Sequence, residues 1–207
     1  ISGAITNVGS VANVLSKVVI KNGNIDVSDN YNITKENGTL TIKTKGITIP
    51  TSANYCNTLT YNGTSQTLTK TAGEGYTFSN NTGIDAKEYT ITVALKENYV
   101  WNDGTNTNKT FKCSIAKISA TVKASSANKT YDGISLTKTS GCETSTGLLA
   151  NHTPICINSG SITNAGSNDN VLSNVVIKSG EVDVTSNYNI TKENGTLKIL
   201  KRAITYK

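Results

Sequence analysis

The sequence predicts an all-β chain assembled from small two-sheet modules in tandem. Three observations carry that expectation: the chain matches itself at a fixed offset, its apolar residues alternate with polar ones in short runs, and residues that form turns are abundant.

The repeat sets the architecture. The stretch SGAITNVGSVANVLSKVVIKNGNIDVSDNYNITKENGTLTI from Ser2 aligns without a gap on the stretch from Ser159, an offset of 157 residues. Of the first 50 positions 32 are identical, among them the block NYNITKENGTL at Asn30–Leu40 and Asn187–Leu197. A weaker echo lies inside the period, where Thr60-Tyr-Asn-Gly63 returns as Thr130-Tyr-Asp-Gly133. The period therefore holds two related modules, type A over residues 46–120 and type B over residues 121–203. Residues 1–45 read as the C-terminal part of an incomplete B module. Residues 204–207 read as the start of a further A module, because Arg202-Ala-Ile-Thr-Tyr-Lys207 aligns with Lys45-Gly-Ile-Thr-Ile-Pro50. Half a B module leaves a sheet edge open, so residues 1–45 are expected to pair with a neighbouring molecule or to pack on module A.

The strands follow in order. Tyr31 to Ile42 contains Asn37-Gly38 between alternating runs, the strongest short hairpin signal because both residues tolerate positive φ. Tyr89, Ile91, Val93 and Leu95 alternate with small or polar residues, as do Phe111, Cys113 and Ile115. In module B, Tyr188–Lys192 and Thr196–Ile199 flank Glu193-Asn-Gly195 and repeat the hairpin pattern. Asp183 to Asn187 suits one helical turn with Asp183 as its cap. Long helical periodicity is missing. Several short strands per module with regular turns predict small immunoglobulin-like β-sandwich modules, with a β-grasp-like module as the alternative for type B.

Composition narrows the function classes. Modules of 70–80 residues lie near the lower limit for a self-sufficient core. The net charge of +6 is spread thinly, with no Lys or Arg run and no interleaved aromatics, so nucleic acid is not the expected partner. No segment offers the ~18 apolar residues of a membrane span. The export signal and the anchor are expected outside this segment.

Four cysteines allow three pairings. Only Cys56–Cys113 with Cys142–Cys156 keeps each bond inside one module, which is the expected pattern and points to an oxidising, extracellular compartment. Loop closure gives the first bond about 4 kcal/mol and the second about 3. Cys56 is out of phase with Leu59 and Tyr61, so its strand needs a bulge or an irregular start. The cysteine spacings fit no zinc motif, and His152 is the only histidine, so no metal and no cofactor is expected. Cys156 follows His152 by four residues, but no acid is placed to orient the ring, and no catalytic serine motif or phosphate loop occurs. Asp183 with nearby carbonyls offers at most a cation ligand, and capping explains it. The chain reads as non-enzymatic.

Leu59-Thr-Tyr-Asn-Gly-Thr64, Gly75-Tyr-Thr-Phe-Ser-Asn-Asn81, Asp85-Ala-Lys-Glu-Tyr-Thr-Ile-Thr-Val93 and Tyr99-Val-Trp-Asn-Asp-Gly-Thr105 resemble the bacterial Ig-like repeats of large Gram-positive surface proteins. Lys129-Thr-Tyr-Asp-Gly133, Thr163-Asn-Ala-Gly166 and Ser186-Asn-Tyr-Asn-Ile190 resemble the YDG-type repeats that alternate with them. The resemblance covers nearly the whole chain. It implies extracellular, cell-wall-associated arrays that act as spacers or adhesive stalks, with neighbouring repeats as partners. Lys87 and Glu88 stand where such repeats often carry Gly. Surface modules of this kind sometimes hold a Lys–Asn isopeptide bond, for which Lys129 and Asn194, beside Glu193, are the conceivable pair. Nine Asn-x-Thr sequons reflect an Asn- and Thr-rich composition with Asn at turns. Two functions follow: a stalk segment, or an adhesive module recognising a host glycan or protein. Tyr99 and Trp101, if exposed on a loop beside Asn102 and Asp103, would serve the second as a stacking platform.

Overall fold

The computed structural model describes residues 1–207 and is all-β, with 51% of residues in strands and 5% in helices, none of the helices longer than one turn. The N-terminal stretch carries β1 (Gly9–Asn13), β2 (Lys21–Asn22), β3 (Ile25–Asp26), β4 (Gly38–Ile42) and β5 (Lys45–Ile47), followed by the single turn α1 (Ser52–Tyr55). Next come β6 (Leu59–Thr60), β7 (Gln66–Thr67), β8 (Tyr76–Ser79), β9 (Thr82–Gly83), β10 (Glu88–Leu95), β11 (Tyr99–Trp101) and β12 (Lys109–Ala116). The remainder holds β13 (Ile118–Ala124), β14 (Ala127–Thr130), β15 (Cys142–Thr146), β16 (His152–Ser159), β17 (Gly166–Ser179), β18 (Val182–Asp183), β19 (Tyr188–Glu193) and β20 (Gly195–Leu200). No helix is long and apolar enough to cross a membrane.

The chain divides into two compact units, with β10 and β12 passing from one to the other. The first unit comprises Ile1–Asn54, Thr71–Ser79 and Ile91–Phe111. In it β1 pairs antiparallel with β4, β8 with β10, and β5 runs parallel to β11. Its core gathers Tyr76, Ile91, Val93, Trp101 and Phe111. Ile91 and Val93 are the inward half of the β10 alternation, each worth about 1.5–3 kcal/mol when fully buried. Phe78 stands edge-on to Phe111 at 5.4 Å. By contrast, no side chain before Pro50 is buried.

The second unit comprises Tyr55–Lys70, Asn80–Thr90 and Lys112–Lys207. Its sheets are β15-β13-β19 and β14-β20-β17-β16, with β18 appended to β17. Ala120, Val122 and Ala124 project from β13, and Cys156, Leu172, Val175, Ile177, Leu197 and Ile199 come from the other sheet, all buried. The Cys142–Cys156 bond ties β15 to β16, and the Asn170 amide donates to the carbonyls of Ser125 (2.8 Å) and Lys138 (2.9 Å).

One expectation needs correction. The Asn-Gly sites do not make hairpins. β19 pairs in parallel with β13, whereas β20 pairs with β14 and β17, so Asn194-Gly195 carries the chain from one sheet to the other. Gly195 is needed for close approach: a Cβ there would stand 2.5 Å from the Ser125 carbonyl oxygen and 2.6 Å from that of Ala124. Likewise β4, after Asn37, pairs with β1. In the second copy alternation around Asn-Gly identifies two strands, but it cannot say that they are partners when parallel neighbours compete for their edges; in the first copy residues 31–36 form no strand. Cys56, by contrast, has the irregular start its phase requires: it follows the turn α1 and makes only an isolated bridge to Thr69.

The 157-residue repeat is also a repeat of backbone pairing. Gly9↔Ile42 through Asn13↔Gly38 recurs as Gly166↔Ile199 through Asn170↔Gly195. Lys21↔Asp26 recurs as Lys178↔Asp183.

Candidate functional site

Four side chains from distant parts of the second unit converge on a buried cluster: Tyr61 just after β6, His152 at the start of β16, Asn187 in the helical turn Thr185–Asn187, and Tyr188 at the start of β19. The expected turn is there, but its N-cap is Val184 with no side-chain cap bond, not Asp183. Asp183, one residue earlier, accepts from both the amide and the hydroxyl of Thr185, at 2.9 and 2.6 Å. The turn delivers Asn187, 1% exposed, with its amide aimed at residues 85–86. There its Oδ1 accepts from the Ala86 amide at 2.7 Å and its Nδ2 donates to the Asp85 carboxylate at 3.2 Å.

The rings stack around it. Tyr61 lies 5.9 Å from Tyr188, nearly perpendicular, and 6.0 Å from His152. The Tyr188 hydroxyl accepts from the Leu149 amide (3.3 Å) and lies 2.6 Å from His152 Nδ1. Burial holds the His152 pKa below its ordinary value and raises that of the Tyr61 phenol, the latter aided by Tyr188. Gly63, at φ 77°, turns the chain so closely that a Cβ would stand 3.2 Å from Leu149. In sequence terms this cluster joins the A-type stretch (Tyr61, Asp85, Ala86) to the B-type stretch (His152, Asn187, Tyr188).

A second contact of this kind lies in the first unit, where Asn98 adopts φ 70°, a left-handed conformation that asparagine tolerates better than most residues. Its Oδ1 accepts from the Val8 amide at 2.9 Å, and its carbonyl accepts from the Lys45 amide at 2.9 Å. Its Nδ2 lies 3.4 Å from Asn7 Oδ1, and the chain continues into the parallel β5–β11 pair.

The cysteines form Cys56–Cys113 and Cys142–Cys156, each with a Cα separation of 5.4 Å. These two bonds are compatible with an extracellular, secreted protein. Trp101 does not face a ligand: it is 1% exposed, donates its indole N–H to the Thr107 carbonyl at 2.8 Å and packs against Tyr76. Tyr99 is half-buried. Its hydroxyl donates to Glu74 at 2.8 Å, a bond that raises the phenol pKa, and the ring lies over Gly75. Asp103 is held at a pKa of about 2 by Lys109 and by Thr105. Lys129 and Asn194 are not brought together: Lys129 pairs with Asp132 at 2.8 Å, and Asn194 bonds to the Leu172 amide and to Asp169. No group of three or more His, Cys, Asp or Glu side chains converges as a metal site.

Asn98 carried no motif signal, and Asn187 and Tyr188 entered only within the Ser186-Asn-Tyr-Asn-Ile190 motif, with no contact assigned to them. Asn187-Tyr188 also falls inside the invariant eleven-residue block, where the expected helical turn and strand accounted for both residues. No protein-family model and no curated protein matches this chain.

Proposed function

We propose that this chain is a spacer segment of an extracellular surface array in which A- and B-type modules alternate, each a small immunoglobulin-like sandwich. The resemblance to the Ig-like and YDG-type repeats of Gram-positive surface proteins supports that reading and brings with it cell-wall association and neighbouring repeats as partners. The observation that carries it is the cluster around Asn187. A side chain of the B-type stretch bonds the backbone of the A-type stretch 101 residues earlier, inside a shell of three rings. Because the Asn187 side chain is buried and would lose its partners on opening, such a contact resists bending. A spacer needs that stiffness. Groups that could otherwise do chemistry are engaged in structure: His152 with Tyr188, Asp183 with Thr185, and Asp103 with Thr105 and Lys109.

Small-angle scattering on chains carrying one and two 157-residue periods tests the reading. The maximum dimension should grow by a constant increment for each added period. A particle that folds back, so that the dimension barely rises while the mass doubles, would overturn it.

A further inference from the structure

The second unit has a cavity of about 590 Å³ lined by the Tyr131-Asp132 loop, Asn164, Ala165, Arg202 and Ile204. Shifted by the repeat, Asn164, Ala165, Arg202 and Ile204 are Asn7, Val8, Lys45 and Ile47. The first three of those counterparts hold Asn98 in the first unit, and Ile47 pairs with Trp101 just beyond it. From this correspondence we infer that the cavity is a receptor for the Glu97-Asn98-Tyr99 turn of a further A-type module, with Arg202–Ile204 adding as a parallel strand to that module's Tyr99–Trp101.

The local frame is the same in both places. Gly166 and Gly9 share an unusual φ, 154° and 147°, and an added Cβ would meet Ile162 or Ile5 at 3.9 and 3.8 Å. The flanking strands keep one register. Each sequence difference at the contact is one the geometry tolerates. Val8→Ala165 and Lys45→Arg202 change side chains, whereas the bonds to Asn98 come from the backbone amides of Val8 and Lys45. Gly46 becomes Ala203, and a Cβ on Gly46 would meet nothing within 4 Å. Asn7, the one side chain used, is retained as Asn164. Ile204, 69% exposed, and Tyr131 offer apolar surface for a partner to cover, where Ile47 at the equivalent position is half-buried.

The docking deepens the spacer reading and rests on it for the nature of the following module. The test extends the full chain so that Lys207, standing where Pro50 stands, is followed by residues 51–124, and measures amide exchange by NMR. The Ala165 and Arg202 amides should exchange about tenfold more slowly than in the unextended chain, the scale set by one hydrogen bond. Asn98→Ala in the added copy should abolish that protection. Unchanged exchange at Ala165, with the added copy folded by its Trp emission, overturns the docking. Independently of that folding, Asn98→Ala in the unextended chain should expose the Val8 amide by a similar factor, and an unmoved Val8 overturns it too. Protection at Ala165 in a particle that folds back would sink the spacer reading alone, and lost docking in a particle that still lengthens would sink the docking alone.

Discussion

Asn187 accepts a 2.7 Å hydrogen bond from the backbone amide of Ala86, 101 residues away. Its repeat counterpart Asn30, in the same eleven-residue sequence, is exposed. Replacing Asn187 by Ala leaves the half-buried Ala86 amide without this partner and opens a hole where a 1% exposed side chain was packed. A loss of about 2–3 kcal/mol is expected, read as a lower urea midpoint, whereas Asn30→Ala should stay within about 0.5. Equal shifts for the two variants would deny the joint any energetic weight.

His152 sets the pH response near neutrality, because it is the only histidine and burial lowers its pKa. As pH falls through the ordinary imidazole value of about 6.5, the unfolded chain takes up a proton that the folded chain refuses. The unfolded state then binds more protons, so stability falls with falling pH in that window and is fully present above it. Thermal melts between pH 7.5 and 5 should show the decline, and His152→Gln should flatten it. A melt equally steep in the variant would assign the slope to other groups.

Gly195 and Gly38 are the same residue in two copies of one sequence. An Ala at 195 must push into the carbonyls of Ala124 and Ser125, whereas an Ala at 38 meets Asn13 at an ordinary 3.7 Å. Gly195→Ala is expected to cost more than about 2 kcal/mol, and Gly38→Ala less than about 0.5, by the usual scale of overpacking against surface change. Chemical denaturation of the two variants decides it.

The disulfides divide unequally by loop length, with separations of 57 and 14 residues. Removing the first pair as the double serine variant should cost about 4 kcal/mol and removing the second about 3, if constraint of the unfolded chain dominates. A larger loss from the Cys142–Cys156 variant would show that its bridge between β15 and β16 matters more than the loop it closes.

Several features were legible in the residues. The alternation of Tyr89 to Leu95 and of Phe111 to Ile115 marks strands whose inward faces carry the buried Ile91, Val93, Phe111, Cys113 and Ile115, with Tyr89 and Leu95 half-buried, because period-two patterning is a property of the strand itself. The cysteine pairing was legible because loop length and module boundaries leave one economical solution. The Asn187 joint was not, nor was the parallel pairing of β19, since each depends on a segment distant in sequence.

The eleven residues NYNITKENGTL separate the two contributions. By itself the sequence determined the all-β class, the repeat and the local frame around the Asn-Gly step, including a β1–β4 register reproduced by β17–β20. Only the tertiary structure decided that Tyr188 is a core residue at 4% exposure while Tyr31, in identical local sequence, is 57% exposed. The physical reason is that burial belongs to pairs of surfaces. β13 runs alongside β19 and Tyr61 and His152 close over its ring, whereas residues 31–36 lie in no strand and pair with none.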